Sequence, residues 1–113
     1  MRVKNRNLQF LIDSGSSNSL ISSKLAHNLG LKLERATNSN LLIAASKQQL
    51  NVLGKAKMIF HVKCLIIVHS FTVIENLFPS LLIGDDFLRN NHAVINYANS
   101  TVSFNDGLVV LPL

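Results

Sequence analysis

The chain is short of charge, aromatic residues and cysteine, and each shortage removes a class of function. Cys64 stands alone in 113 residues, so no internal disulfide can form. It reads as a buried strand residue rather than a nucleophile, and a reducing or redox-indifferent setting follows. Aromatic residues make up 6% of the chain, and the lysines and arginines are scattered from Arg2 to Arg89, with no dense run beyond Arg2, Lys4 and Arg6. The formal net charge of +5 is therefore read as a generally basic surface and not as a nucleic-acid recognition motif. The longest clean apolar run, Cys64 to Val68, is of strand length, well below the roughly 18 residues that cross a bilayer. Met1-Arg2-Val3-Lys4-Asn5-Arg6 is basic, but no apolar segment of signal length follows it, so no signal peptide is expected. His27, His61, His69 and His92 show no metal-ligand spacing with Cys64 or the acids, so no metal and no other cofactor is expected.

What is present is apolar: 48% of residues are hydrophobic against 15% charged. A chain of this length makes one domain, residues 1–113, and the apolar excess suggests a second buried surface such as an obligate dimer interface. One stretch organises the rest. Phe10, Leu11 and Ile12 read as the end of a buried strand, Asp13 follows directly, and Ser14-Gly15-Ser16-Ser17 is turn chemistry. A carboxylate is rarely left beside such a run unless hydroxyls or backbone N–H groups meet it. A strand that ends in Asp and turns sharply presents that Asp at a cleft.

Down the chain, Leu20-Ile21 continues as a strand. Ser22-Ser23 offers an N-cap to a short helix over 24–29, and Gly30 closes it, with Leu25 and Leu29 on its inner face. Leu41 to Ala45 and Leu50 to Gly54 read as a hairpin joined by Ser46-Lys47-Gln48-Gln49. Residues 57–62 and 65–74 are rich in β-branched and aromatic side chains and read as two long strands over the core. Pro79 breaks the sheet before Leu81-Leu82-Ile83-Gly84, and Asp85 and Asp86 are placed at the amino end of a helix over 87–90, capping its N–H groups. Strands follow over 92–97, 101–104 and 108–111, the last a candidate for strand exchange with a partner chain.

Leu11-Ile12-Asp13-Ser14-Gly15 resembles the active-site loop of aspartic proteases, which reads hydrophobic-hydrophobic-Asp-Thr/Ser-Gly. Leu81-Leu82-Ile83-Gly84, leading into Asp85-Asp86-Phe87-Leu88, is similar to the hydrophobic-hydrophobic-Gly segment that runs beside that loop. With one such loop in a short chain, the resemblance is to the retropepsin-like branch of retroviruses and LTR retrotransposons, and it covers roughly residues 8 to 111. It implies an all-β fold: a retropepsin-like half-barrel with one or two short helices, working as a symmetric homodimer. Leu11-Ile12-Asp13 with Leu20-Ile21, and Leu82-Ile83-Gly84 with Val94-Ile95, would be its duplicated halves. A fuller amino-terminal strand is usual in the family, so part of that strand is expected upstream of residue 1.

The resemblance also assigns roles. Asp13 is the catalytic acid/base. Ser14 bonds across the dimer axis to the partner loop, and Gly15 lets substrate backbone approach. Ser17 and Asn18 flank the cleft, Ala45 and Ser46 belong to a flap whose tip lacks the usual glycines, and Pro79 and Leu82 line the cleft wall. Hydrolysis by carboxylates alone needs two of them, and two held ~3 Å apart share a proton, the aspartic proteases being the standard instance. One loop per chain therefore requires a two-fold dimer for mechanistic as well as family reasons. The implied substrate is a polypeptide, the element's own polyprotein, with the enzyme cytoplasmic or inside retroelement particles and no membrane partner. Two rival readings stand beside it: an inactive or domesticated dimer that serves as a binding module, and a basic β-rich RNA-binding module, against which the sparse aromatics weigh.

Overall fold

A computed structural model describes residues 2–3, 6–35, 42–43, 49–63 and 65–113. The chain runs β1 (Arg2–Val3), β2 (Arg6–Asn7), β3 (Leu11–Ile12), β4 (Leu20–Ser22), α1 (Ser23–Asn28), β5 (Glu34–Arg35), β6 (Leu42–Ile43), β7 (Gln49–Leu50), β8 (Val52–Val62) and β9 (Leu65–Ile74). It continues through β10 (Leu81–Ile83), α2 (Asp85–Asn90), β11 (Val94–Asn96), β12 (Thr101–Phe104) and β13 (Val109–Pro112). The mostly-β architecture with two short helices agrees with the expected fold class.

The largest sheet has the order β2-β1-β8-β9-β4-β10-β3, with β5 added on β8. Its spine is the antiparallel pair β8–β9, in register from Val52↔Ile74 to Val62↔Leu65. Strict alternation explains why these residues form strands: Ala56, Met58, Phe60 and Val62 are buried while Lys55, Lys57, Ile59 and His61 are exposed. On β9 the alternation stops at Phe71, and Thr72, Val73 and Ile74 are all buried, because β4 pairs there in parallel (Leu20↔Thr72 to Ser22↔Ile74) and the strand becomes interior.

The core is built around stacked phenylalanines. Phe60, Phe71, Phe87 and Phe104 are fully buried, with ring centroids 5.4 Å (Phe60–Phe71), 5.5 Å (Phe60–Phe87) and 5.8 Å (Phe87–Phe104) apart. Such separations suit tilted and edge-on aromatic packing. They tie β8, β9, β12 and α2 into one body, and α2 in turn locates the site.

Several expectations need correction. The strand before Asp13 is two residues long, and Leu11 is 48% exposed, because β3 lies at the sheet's edge with only β10 beside it. Of the expected hairpin, the described residues pair as β6–β7, Leu42↔Leu50 and Ile43↔Gln49, and residues 41 and 44–48 lie outside the described residues. Val52, Leu53 and Gly54 belong instead to β8, where a bulge between Val52 and Gly54 lets β5 close on the strand (Glu34↔Lys55, Arg35↔Gly54). β13 is paired within its own chain, Thr101↔Pro112 through Phe104↔Val109, so one of its two edges is already used. β1 and β2 pair antiparallel, Arg2↔Asn7 and Val3↔Arg6, with Arg2 opposite His61 of β8 and Val3 in the core. α1 follows its sequence signals: the Ser22 side chain accepts the Leu25 N–H, and Gly30 takes a positive φ of 67° just past the end.

Candidate active site

β3 and β10 run parallel, Leu11 opposite Leu82 and Ile12 opposite Ile83, and the Asp13 N–H extends the ladder by donating to the Ile83 carbonyl at 2.9 Å. Asp13 is thus the first residue past a paired strand. The chain then turns back on it: the Gly15 N–H donates to Asp13 Oδ1 at 3.0 Å, and the Ser16 N–H to the Asp13 carbonyl at 3.1 Å. The bond from the Gly15 N–H fixes the direction of the carboxylate, and that from the Ser16 N–H closes the turn. Asp13 as a residue is half-buried, and Ser14 and Gly15 beside it are exposed.

The far side of the loop is pressed against the start of α2. The Asp85 N–H donates to the Ser16 carbonyl at 2.6 Å, and the Ser16 hydroxyl donates to the Asn18 carbonyl at 2.7 Å. The contact is close enough to require glycine at position 84. A Cβ there would lie 2.5 Å from the Asn18 carbonyl oxygen and 2.7 Å from that of Ser16. The Gly84 φ of −98° is open to any residue, so the requirement is one of space.

Beneath the loop lies a polar chain. The Gly84 N–H donates to Ser19 Oγ (2.9 Å), the Ser19 hydroxyl donates to Asp86 Oδ1 (2.6 Å), and Asp86 Oδ2 meets His69 Nε2 of β9 at 2.9 Å. The Thr72 N–H holds the Ser19 carbonyl from the β9 side at 3.0 Å. Burial pushes the Asp86 carboxyl up, but hydrogen bonds from the Ser19 hydroxyl, His69, and the Ser19 and Phe87 backbones outweigh it and hold the group below the ordinary aspartate value. The expected capping role is corrected accordingly. Asp85 and Asp86 lie inside α2, Gly84 is the N-cap without a side-chain cap, and Asp85 pairs with Arg89 one turn on at 2.5 Å. Asp86 does receive the Phe87 N–H at 2.8 Å, but its other bonds leave the helix. Ser19 and His69 escaped the sequence reading: they bond Asp86 across 67 and 17 residues, and no local spacing marks them.

The remaining expected site residues scatter more widely. Ser14 lines a depression of about 250 Å³ with Asp85, Leu88, Arg89, His92, Ala93 and Ile95. Ser17 is exposed, and the half-buried Asn18 donates to its hydroxyl at 3.3 Å. Pro79 is half-buried after a cis bond from Phe78, which is itself 93% exposed. Leu82 is buried in a small cluster with Leu20 and Ile74. Ala45 and Ser46 lie outside the described residues. Among the described residues, no group of three or more His, Cys, Asp or Glu side chains could hold a metal ion.

Asp13 thus stands on a strand-to-turn loop, bonded by the Gly15 N–H, and the loop packs on a glycine at the head of a short helix. Residues 1–90 match the family model described as "gag-polyprotein putative aspartyl protease", and the chain belongs to this retropepsin-like family. Its fold is similar to the crystal structure of the retroviral protease-like domain of Ddi1 from Leishmania major, with a TM-score of 0.77 at 18% identity over 98% of this chain and 87% of that one. At that identity the likeness concerns the fold. No curated protein matches the chain.

Proposed function

We propose that the protein is an aspartic endopeptidase that acts as a symmetric homodimer, with Asp13 of each chain forming the catalytic dyad. The observation that carries the reading is the Asp13 carboxylate, aimed by the Gly15 N–H from a loop whose two ends are tied to β10 and α2. One carboxylate removes a proton from water as the water oxygen attacks the peptide carbonyl carbon, while the partner's carboxyl donates its proton to the carbonyl oxygen. Collapse of the resulting diol breaks the C–N bond, and the amine leaves with a proton from the dyad. On the same chain Asp85 is engaged by Arg89, and Asp86 by Ser19 and His69. The second acid is therefore assigned to the second chain.

In this reading Ser14 bonds across the axis, Gly15 receives substrate backbone, and Ser17, Asn18, Pro79 and Leu82 border the cleft. The β6–β7 hairpin, carrying Ala45 and Ser46, is the flap. Substrate binds extended, as an added strand, and a retroelement polyprotein is the substrate proposed. The test is cleavage of an unstructured polypeptide between about pH 4 and 7, across a dilution series, by the native chain and Asp13→Asn. Activity that is absent in the variant and falls faster than linearly on dilution is expected. Cleavage that survives in Asp13→Asn would refute the assignment.

A further inference from the structure

We infer that His69 is a positioning residue for the catalytic loop, acting through Asp86 and Ser19. The inference rests on the protease reading of Asp13. His69 is 8% exposed and Ser19 1%, so both spend their polar atoms inside the protein, where an unmet donor is costly. The His69 ring stands edge-on to Phe71 (5.4 Å) and Phe87 (5.1 Å), which leaves it little freedom to turn away from Asp86. From there the chain of bonds runs Asp86 to Ser19 and Ser19 to the Gly84 N–H. Residue 84 also has no room for a side chain against the carbonyls of residues 16 and 18. The loop's exit is thus held from β9, through α2, by groups that touch no substrate.

The arrangement works only while Asp86 is ionised, since the carboxylate then accepts from Ser19, Phe87 and His69 together. Its hydrogen bonds hold it below the ordinary aspartate value, which keeps it charged at the mildly acidic pH where a carboxyl dyad works. The other charged groups nearby are accounted for. Asp85 and Arg89 on α2 bind each other, Asp13 is bonded by the Gly15 N–H, and His92 lies on the depression beside Ser14. His69 is the titratable side chain that meets Asp86 among the described residues.

Two variants separate positioning from bulk stability. His69→Phe keeps a ring against Phe71 and Phe87 but has no N–H; His69→Gln keeps a donor of similar reach. With the dimeric protein, kcat is expected to fall about tenfold in His69→Phe with KM within about twofold, one lost tenfold corresponding to a displaced dyad. The acid limb of kcat should move to higher pH, because Asp86 loses one of the bonds that lowers it, and His69→Gln should restore most of both. Amide hydrogen exchange gives a reading independent of catalysis: the Gly84 and Asp85 amides should exchange at least tenfold faster in His69→Phe, with the β8–β9 amides unchanged. A native chain that cleaves nothing would defeat the protease reading alone, and the exchange data would still decide the tie. Loss of activity that merely follows the folded fraction at every pH, with Gly84 and Asp85 exchange unaltered, would overturn the inference.

Discussion

Gly84→Ala adds a single methyl group to the most crowded backbone position beside the site. The new Cβ would lie 2.5 Å from the Asn18 carbonyl oxygen, 2.7 Å from the Asn18 carbonyl carbon and 2.7 Å from the Ser16 carbonyl oxygen, all of them backbone atoms that cannot rotate aside. Relief requires the loop and the start of α2 to separate. That separation breaks the Asp85 N–H to Ser16 bond of 2.6 Å and the Gly84 N–H to Ser19 bond of 2.9 Å. Two such bonds are worth about 1 kcal/mol each, and overpacking adds about 1–3 kcal/mol. Alanine recovers about 0.4–1 kcal/mol by stiffening the unfolded chain. The net expectation is a loss of about 2–4.6 kcal/mol, a large share of the roughly 5–15 kcal/mol that a domain has.

Urea unfolding reads the loss directly. At a slope of about 1.5 kcal/mol/M, the midpoint should fall by about 1.3–3.1 M with the slope unchanged. Gly107→Ala is the control. Position 107 has a φ of +83° but nothing within 4 Å of an added Cβ, so only the left-handed conformation is penalised, at about 1–2 kcal/mol. If Gly84→Ala unfolds within about 0.3 M of the native chain, or costs no more than Gly107→Ala, the argument from crowding is refuted.

Three further perturbations probe other parts of the structure. Phe87→Ala removes a fully buried ring that packs on Phe60, Phe104 and His69; it should cost about 3–5 kcal/mol by denaturant unfolding, whereas Phe78→Ala, at a position 93% exposed, should stay within about 0.5 kcal/mol. Ser22→Ala removes the acceptor for the Leu25 N–H and should cost about 1 kcal/mol, visible as a lower Tm, while Ser22→Asn should retain most of the stability. Because the folded-state value of Asp86 is depressed, its contribution is complete above the ordinary aspartate range near pH 4 and is lost as pH falls through the lower folded value. Acid titration followed by circular dichroism should therefore show a shallower loss in Asp86→Asn than in the native chain.

The parts of this molecule legible in its sequence are those determined by neighbours along the chain. The turn after Asp13, the Ser22 cap, the Gly30 terminus and the β-branched and aromatic composition of residues 57–62 and 65–74 are local features, and the chain forms a turn, a capped helix and two long strands there. Errors begin where a second strand decides. Leu11 looked interior because Phe10-Leu11-Ile12 is a continuous apolar run, yet β3 has a neighbour on one side only. Val52 to Gly54 looked like one arm of a hairpin, but their pairing with Val73 and Ile74 continues the long strand instead.

The same boundary runs through the site itself. Asp13, Ser14 and Gly15 were visible because a carboxylate after an apolar run and before a glycine turn is unusual on chemical grounds alone. Asp86 was visible only as a charge near a helix start, since its acceptor role for Ser19 and His69 exists only after β4, β9 and α2 have packed around Phe87. Gly84 is legible only as part of the hydrophobic-hydrophobic-Gly segment; its φ of −98° needs no glycine, and what position 84 requires is the absence of a side chain against residues 16 and 18. Local chemistry along the chain marks the group proposed to react, and tertiary packing supplies the groups that aim it. A substitution at Ser19 or His69 should consequently be judged by what it does to the Gly84–Ser16 contact, more than 60 residues from one end of that contact to the other in sequence and one hydrogen bond apart in space.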